Sequence, residues 1–359
     1  MNDAPGQVAA ASERVAAIRE RVDAARNQVA ALPRFALLDG PTQLQSAPAL
    51  AAALDDLADG AGPAWLGLKR EDLAPLGLGG NKLRNLEFLV GAARAEGADA
   101  LVTAGRRWSN HCRLTAAAAR MAGLEAHLVL TGPRPATPGP NARLIEALGG
   151  QIHWTTGAER REREALLDQL ATELRDARRR PFVIGVGGSG LPGAFGQLLA
   201  GLELADQLAA AGRSAHLVAL ASATGGTQAG LLLGLRLAGS TARVLGFTVS
   251  RPATELGPVI ERLVAEMAGA LDMASEDLDL AVELDDRALA PGYGRRSAAA
   301  DEAAALLART TGVPADPIYT AKAVGGLVSI AREGALDARS VVLWLGGGDV
   351  GLLEELDPS

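Results

Sequence analysis

Three short apolar runs in this chain pass directly into glycine-rich turns: Gly185-Val-Gly-Gly-Ser-Gly190, Ala223-Thr-Gly-Gly-Thr-Gln-Ala-Gly230 and Gly346-Gly-Gly-Asp-Val-Gly351. The runs belong to a longer alternation. Ala64–Leu68, Ala100–Thr103, Ala126–Leu130, Gln151–Trp154, Pro181–Val186, His216–Ala221, Val244–Val249 and Val341–Leu345 read as strands. Stretches with a period of about 3.6 residues separate most of them. Parallel neighbours need a crossover connection and a helix fills it, so this order predicts an α/β fold of parallel sheets covered on both faces. Ligands of such sheets bind beyond the carboxyl ends of the strands, where all three turns lie.

With 359 residues the chain has room for about two domains. Ahead of the alternation, Val8, Val15, Ile18, Val22, Val29 and Leu32 recur at helical spacing among charged residues, so 8–32 reads as an amphipathic helix ended by Pro33. Such a helix either packs on its own domain or reaches to a second copy. The charge-dense stretch 157–180 reads as a solvated helix.

Several function classes lose support. The net charge is −7 and no basic block interleaves with aromatics, which leaves a nucleic-acid surface without electrostatic footing. Cys112 is the single cysteine, so no internal disulfide forms, and four scattered histidines show no metal spacing. No apolar run reaches the roughly 20 residues of a membrane helix, and charges stand where a signal peptide would be apolar. A cytoplasmic enzyme is the expectation.

Of the 35 basic residues only Lys69, Lys82 and Lys322 are lysines, so amine chemistry has three candidates. Lys82 follows two glycines and Asn81 at a helix start, where Asn81 is placed to cap free N–H groups. The field of the helix end disfavours a charged lysine there, and with partial burial it would lower the amine's pKa and favour Schiff-base chemistry. The plainer reading is a solvated lysine. The turn at 223–230 reads as a phosphate cradle: glycine permits close approach, Thr224 and Thr227 add hydroxyls, and the helix over Leu231–Leu237 presents free N–H groups. No GK[ST] follows, and no GxGxxG with a distant acid is present, so neither a P-loop nor a dinucleotide fingerprint applies. Ser109-Asn-His111 opens a helix after a strand; Ser109 reads as its N-cap, and the trio also forms a seat for a carboxylate or phenolic oxygen. Tyr293, in Gly-Tyr-Gly, and Tyr319, leading a helix after Asp316-Pro-Ile, are the two tyrosines, candidates for a site as well as for packing.

Taken in order, Lys69-Arg-Glu-Asp72, Gly79-Gly-Asn-Lys82-Leu-Arg84-Asn-Leu-Glu87, Ser109-Asn-His111, Thr224-Gly-Gly-Thr-Gln-Ala-Gly230, Gly292-Tyr-Gly294 and Asp316-Pro-Ile-Tyr-Thr320 resemble one family. It is the D-cysteine desulfhydrase and 1-aminocyclopropane-1-carboxylate deaminase family of pyridoxal-phosphate enzymes. The resemblance covers the chain from about residue 33 onward. It implies the tryptophan synthase β-like fold (type II of the pyridoxal-phosphate enzymes), with two parallel-sheet, three-layer domains. A larger cofactor domain would take 33–84 and 191–359, a smaller mobile domain 85–190, and 1–32 would be an extension. It also implies a homodimer acting on a small amino acid.

The resemblance further implies that Lys82 holds the cofactor as a Schiff base and shuttles the α-proton. Thr224, Gly225, Gly226 and Thr227 would hold the phosphate, Asn110 the ring hydroxyl, and Ser109, Asn110 and His111 the substrate carboxylate. Tyr293 and Tyr319 would face the substrate side chain. Thr320 stands where the family's deaminases carry Glu beside the pyridine nitrogen. A hydroxyl there deepens the electron sink less than a carboxylate, which favours α,β-elimination of a good leaving group such as thiolate. The alternatives are ring-opening deamination, a biosynthetic reaction on an unusual amino acid, and a protein that binds the cofactor without turnover.

The chain departs from the family at Arg106-Arg-Trp108, at Arg295 and Arg296, at Ala299 and at Leu345-Gly-Gly-Gly348, where a hydroxyl near the ring is lost. Arg106 or Arg107 facing the pocket would bind a second anionic group of the substrate; both facing solvent is the alternative.

Overall fold

A computed structural model describes residues 4–132, 134–156, 160–273, 278–336 and 339–354; for 4–11 and 160–161 it describes the backbone alone. Its helices are α1 (Ala4–Ala30), α2 (Pro48–Leu57), α3 (Lys82–Ala95), α4 (Asn110–Ala122), α5 (Pro140–Ala147), α6 (Arg160–Asp176), α7 (Ala194–Ala210), α8 (Gly226–Leu237), α9 (Ala253–Ala270), α10 (Ala298–Thr311) and α11 (Thr320–Arg332). Its strands are β1 (Leu44–Ser46), β2 (Trp65–Arg70), β3 (Ala100–Arg106), β4 (Glu125–Thr131), β5 (Gln151–Thr155), β6 (Pro181–Val183), β7 (Leu217–Ser222), β8 (Arg243–Thr248), β9 (Glu283–Asp285) and β10 (Ser340–Leu345). They form a six-stranded sheet in the order β1-β2-β10-β7-β8-β9 and a four-stranded sheet in the order β5-β4-β3-β6. All pairings are parallel except that of the edge strand β1 with β2.

The larger sheet is covered on both faces, and strand alternation shows why. On β7, Val218 and Leu220 join the core under α7, α8 and α9, while Leu217 and Ala219 join the core under α2, α10 and α11. On β10, Val342 and Trp344 go one way and Val341, Leu343 and Leu345 the other. The smaller sheet is packed by α3, α4 and α5 on one face and by α6 on the other.

Eight strands fall where the apolar runs predict them, with shifts at their ends. The largest are three residues, at Ala100–Thr103, where β3 runs on to Arg106, and at Pro181–Val186, where β6 ends at Val183 and Val186 opens a single 3₁₀ turn in which Gly187 has φ +77°. The edge strands β1 and β9, three residues each, are too short to carry a pattern. The helix expected over Leu231–Leu237 begins five residues earlier, at Gly226. The helix expected over 8–32 spans Ala4–Ala30, and Val8 lies outside the described side chains. Its second half packs on its own chain: Ala25 and Val29 are buried, and the Arg21 guanidinium donates to the carbonyls of Arg236 and Leu237 that end α8. Val15, nearer the N-terminus, is half exposed. The stretch 157–180 is a solvated helix on one side only. Leu167, Leu170 and Ala171 of α6 are buried, the first two against Val102, Ala104 and Val129; 157–159 lie outside the described residues.

The Lys69-Arg-Glu-Asp72 motif is half of a buried ion network that fixes the first turn of α3. Arg84 Nε and Nη2 donate to the two oxygens of Glu71 at 2.7 and 2.8 Å, and Arg84 Nη1 donates to Glu203 at 2.9 Å. Lys69 Nζ pairs with Glu203 and donates to the Gln207 amide oxygen at 2.9 Å and the Thr42 carbonyl at 2.8 Å. Lys69 and Glu71 have no solvent exposure. Removing one member of such a network leaves an uncompensated buried charge. Arg84→Ala is therefore expected to lower unfolding free energy by about 3–5 kcal/mol, read as a lower urea midpoint. A loss below about 1 kcal/mol would mean that the network does not hold the turn carrying Lys82.

Candidate active site

A cavity of about 390 Å³ opens beyond the carboxyl ends of β3, β7 and β10 and is lined by residues from both sheets. Its wall carries Lys82, Ser109, Asn110, His111, Thr224, Gly225, Thr227, Tyr293, Tyr319 and Thr320, so segments far apart in sequence converge there. Gly226 is the one expected site residue off the wall. It is the first residue of α8, and a Cβ on it would stand 2.7 Å from the Ser189 Cβ and 2.8 Å from its Cα.

Lys82 is the first residue of α3, and the structure corrects the role expected of Asn81. Asn81 has helical φ and ψ and makes no side-chain cap. Its amide instead donates to Thr227 Oγ1 at 2.8 Å, which ties the lysine's turn directly to the 224–227 turn. The Asn81 N–H donates to the Gly346 carbonyl at 2.9 Å, so the third glycine turn closes against the same segment. Gly347 has φ +81°, and a Cβ there would lie 2.5 Å from the Gly80 Cα: only glycine permits that approach. Burial of the amine lowers the Lys82 pKa to about 8.

On the opposite wall, Gly225 adopts φ +89° immediately before α8, whose free N–H groups open at the cavity. Thr227 is buried, and the Thr224 hydroxyl shares a 2.5 Å hydrogen bond with Ser189. The Ser222 hydroxyl is buried on the cavity wall with no partner among the described residues.

The Ser109 trio is placed as the sequence reading expects, with one correction. Ser109 caps α4, its Oγ accepting from the Cys112 N–H at 3.2 Å, so its own hydrogen is left to donate. Arg113 donates to the Asn110 Oδ1 at 3.2 Å, which leaves the amide Nδ2 as a donor for an incoming oxygen. His111 does not fit the part of a carboxylate donor. The Thr103 hydroxyl spends its hydrogen on the Ile184 carbonyl at 2.8 Å, so the His111 Nε2 at 3.0 Å must donate to it. The other ring nitrogen, Nδ1, is then a bare acceptor, buried without a partner. Burial, with the nearby Lys82 charge, lowers the His111 pKa to about 3, so the ring stays neutral. What His111 offers an anion is its backbone N–H.

Tyr293 and Tyr319 meet hydroxyl to hydroxyl at 2.5 Å, rings tilted at 63°. Burial raises both above the usual phenol range, Tyr319 the more strongly. Asp316, whose role sequence reasoning missed, positions this side. Its buried carboxylate accepts the N–H groups of Ile318, Tyr319 and Thr320 at 3.0, 2.8 and 3.0 Å and so fixes the start of α11. An Asp-Pro pair ahead of a helix is the signal that could have found it. Arg163, Arg251 and Glu255 also line the cavity, and nothing in their local sequence marks them. Arg106 reaches the wall; Arg107 does not, and lies 4.9 Å from the Trp108 ring centre. Arg295 and Arg296 are exposed, Arg296 paired with Asp301.

The chain matches the family described as pyridoxal-phosphate dependent enzyme over residues 36–347. It is 39% identical over 303 residues to a D-cysteine desulfhydrase of Salmonella choleraesuis, covering 82% of this chain and 88% of that enzyme, and equally to one of Salmonella paratyphi B. The crystal structure of an ACC deaminase homologue superposes with a TM-score of 0.83 at 31% identity, covering 92% of this chain and 96% of that one. Maize serine racemase, at 18% identity and a TM-score of 0.64 over 91% of this chain and 94% of that one, shares the fold. A family match that spans most of the sequence, and kinship of this degree over four-fifths of it, establish that the chain belongs to the pyridoxal-phosphate-dependent enzymes, with pyridoxal 5'-phosphate as its cofactor.

Proposed function

We propose that this protein is a lyase that removes a β-substituent from a small amino acid by α,β-elimination, with D-cysteine as its substrate. The overall reaction is D-cysteine plus water to pyruvate, hydrogen sulfide and ammonia. One observation carries the reading: the amine of Lys82 and the 224–227 turn share one cavity and are tied by the Asn81–Thr227 hydrogen bond. The residues fit the cofactor. An amine with a lowered pKa suits an aldehyde, a helix N-terminus with two threonines suits a phosphate, and the unpartnered Ser222 hydroxyl suits a polar atom. When bound, the cofactor supplies an electron sink for the pair left on the α-carbon when its proton departs.

Lys82 would hold the cofactor through its aldehyde carbon and, once freed by substrate, carry the α-proton. Thr224 and Thr227, with the N–H groups of Gly225 and Gly226, would bind the phosphate. Asn110 Nδ2 would donate to the ring oxygen, and Thr320 would stand by the ring nitrogen. The substrate carboxylate would sit on the Ser109 hydroxyl and the backbone N–H groups that open α4. Tyr293 and Tyr319 would close the side-chain end against water and hold a proton for the leaving group. In this reading 85–190, which contains β3 to β6, is the smaller mobile domain, 33–84 with 191–359 the larger one, and the enzyme works as a cytoplasmic homodimer.

Ring-opening deamination is a second reading, favoured by the likeness to an ACC deaminase homologue; the hydroxyl of Thr320 in place of a carboxylate favours elimination. Purified protein loaded with cofactor and given D-cysteine is expected to release sulfide and pyruvate in equal amounts, at a turnover on the order of 1–10³ per second. Ammonia and 2-oxobutanoate from 1-aminocyclopropane-1-carboxylate, with no sulfide from D-cysteine, would establish the second reading instead. Cofactor bound with no product from either would make the protein a carrier.

A further inference from the structure

The side-chain end of the cavity is cationic, and neither the cofactor nor a neutral amino acid accounts for that. Lys82 is committed to the aldehyde. Arg251 follows Ser250, whose hydroxyl donates to the Ala223 carbonyl at 2.9 Å, so it belongs to the phosphate side. Arg106 lies elsewhere, three residues ahead of Ser109 at the end of β3, and its guanidinium stands 6.0 Å from the Trp108 ring centre. It has no ion pair with any described residue, and its Nε is buried without a hydrogen-bond partner. Arg163 enters the same wall from α6. The Trp108 ring centre lies 6.2 Å from that of Tyr293, which places Arg106 beside the tyrosine pair, and both guanidinium charges hold the Tyr293 pKa lower than burial alone would. Glu255 is the single carboxylate on the wall among the described residues.

We propose that Arg106, together with Arg163, selects amino acids that carry a second anionic group, a carboxylate or sulfonate, on the β-carbon. This rests on the lyase reading of the cavity. With the α-carboxylate on the opening of α4, the side chain points toward Tyr293, and a planar guanidinium meets a β-anion there through paired N–H donors. An uncharged side chain leaves the buried Arg106 Nε without a partner, whereas D-cysteine meets the guanidinium through the thiolate that departs.

The test uses the holoenzyme and pairs of ligands that differ in charge but hardly in shape: aspartate against asparagine, each as D and L, titrated through the change in the cofactor's visible band. Aspartate is expected to bind at least about tenfold more tightly than asparagine. The ratio is expected to fall below about threefold in Arg106→Gln and to shrink in Arg163→Gln, while Arg296→Ala, at an exposed surface position, keeps it. No preference for aspartate in the wild type overturns the proposal, and so does a ratio that survives in Arg106→Gln. D-alanine, titrated in parallel, separates the two readings. If the band ignores every amino acid, the lyase reading fails; if it responds to D-alanine but shows no charge preference, only the selectivity fails.

Discussion

Replacing Lys82 with alanine is expected to lower release of 2-oxo acid at least about 10⁴-fold and to remove the visible absorbance of the bound cofactor, with the far-ultraviolet circular dichroism unchanged. The size of the effect follows from the scarcity of amines. Lys69 is locked among Glu203, Gln207 and the Thr42 carbonyl, and Lys322 donates to the Gly292 carbonyl at 2.9 Å, so neither is available as a substitute. The same amine sets a pH dependence. The neutral form is the nucleophile, and with a pKa of about 8 its population grows about tenfold between pH 7 and 9 and levels off beyond. A lysine at the ordinary value would still be climbing a hundredfold over that interval and past it. Uptake of pyridoxal 5'-phosphate by stripped protein is therefore expected to plateau above about pH 9. Turnover or visible absorbance that persists in Lys82→Ala would remove the basis of the proposed chemistry.

What the sequence disclosed and what it concealed divide along the range of the interactions. Strand positions, the turns that follow β7 and β10, and the Ser109 cap depend on neighbours a few residues away, and the apolar pattern or the residue type announces them. Asn81 misleads because its φ of −59° and ψ of −17° are already helical, outside the extended conformation that a capping side chain needs. Its amide bonds Thr227 instead, 146 residues away, and no local rule reaches that far. His111 misleads for a related reason: its proton is assigned by Thr103 on the preceding strand and by the Ile184 carbonyl on a third segment. Arg106 could be read either way from sequence, since a β-strand alternates its faces and only the end of the strand decides whether the last side chain meets the cavity. The charge-rich α6 hid an apolar stripe of Leu167, Leu170 and Ala171 beneath its arginines, and with it the reason why Arg163 is carried to the cavity.

The tyrosine pair yields the second large effect. Two hydroxyls 2.5 Å apart share one hydrogen bond, so one of them keeps a hydrogen to direct at the substrate. Electrostatics chooses which. Burial raises both, but the guanidiniums of Arg106 and Arg163 oppose this at Tyr293, whereas Tyr319 is raised further by the Tyr293 hydroxyl and by Asp316. In the proposed chemistry Tyr293, the hydroxyl beside the two guanidiniums, would hand its proton to the leaving group, with Tyr319 donating to the oxygen left behind. Tyr293→Phe is expected to lower kcat for D-cysteine about 10²-fold, with KM changed little, and to cost more than Tyr319→Phe. Chloride leaves without protonation, so β-chloro-D-alanine is expected to lose less than about tenfold in the same variant. Equal losses on the two substrates would show that the hydroxyl shapes the cavity and hands no proton to the leaving group.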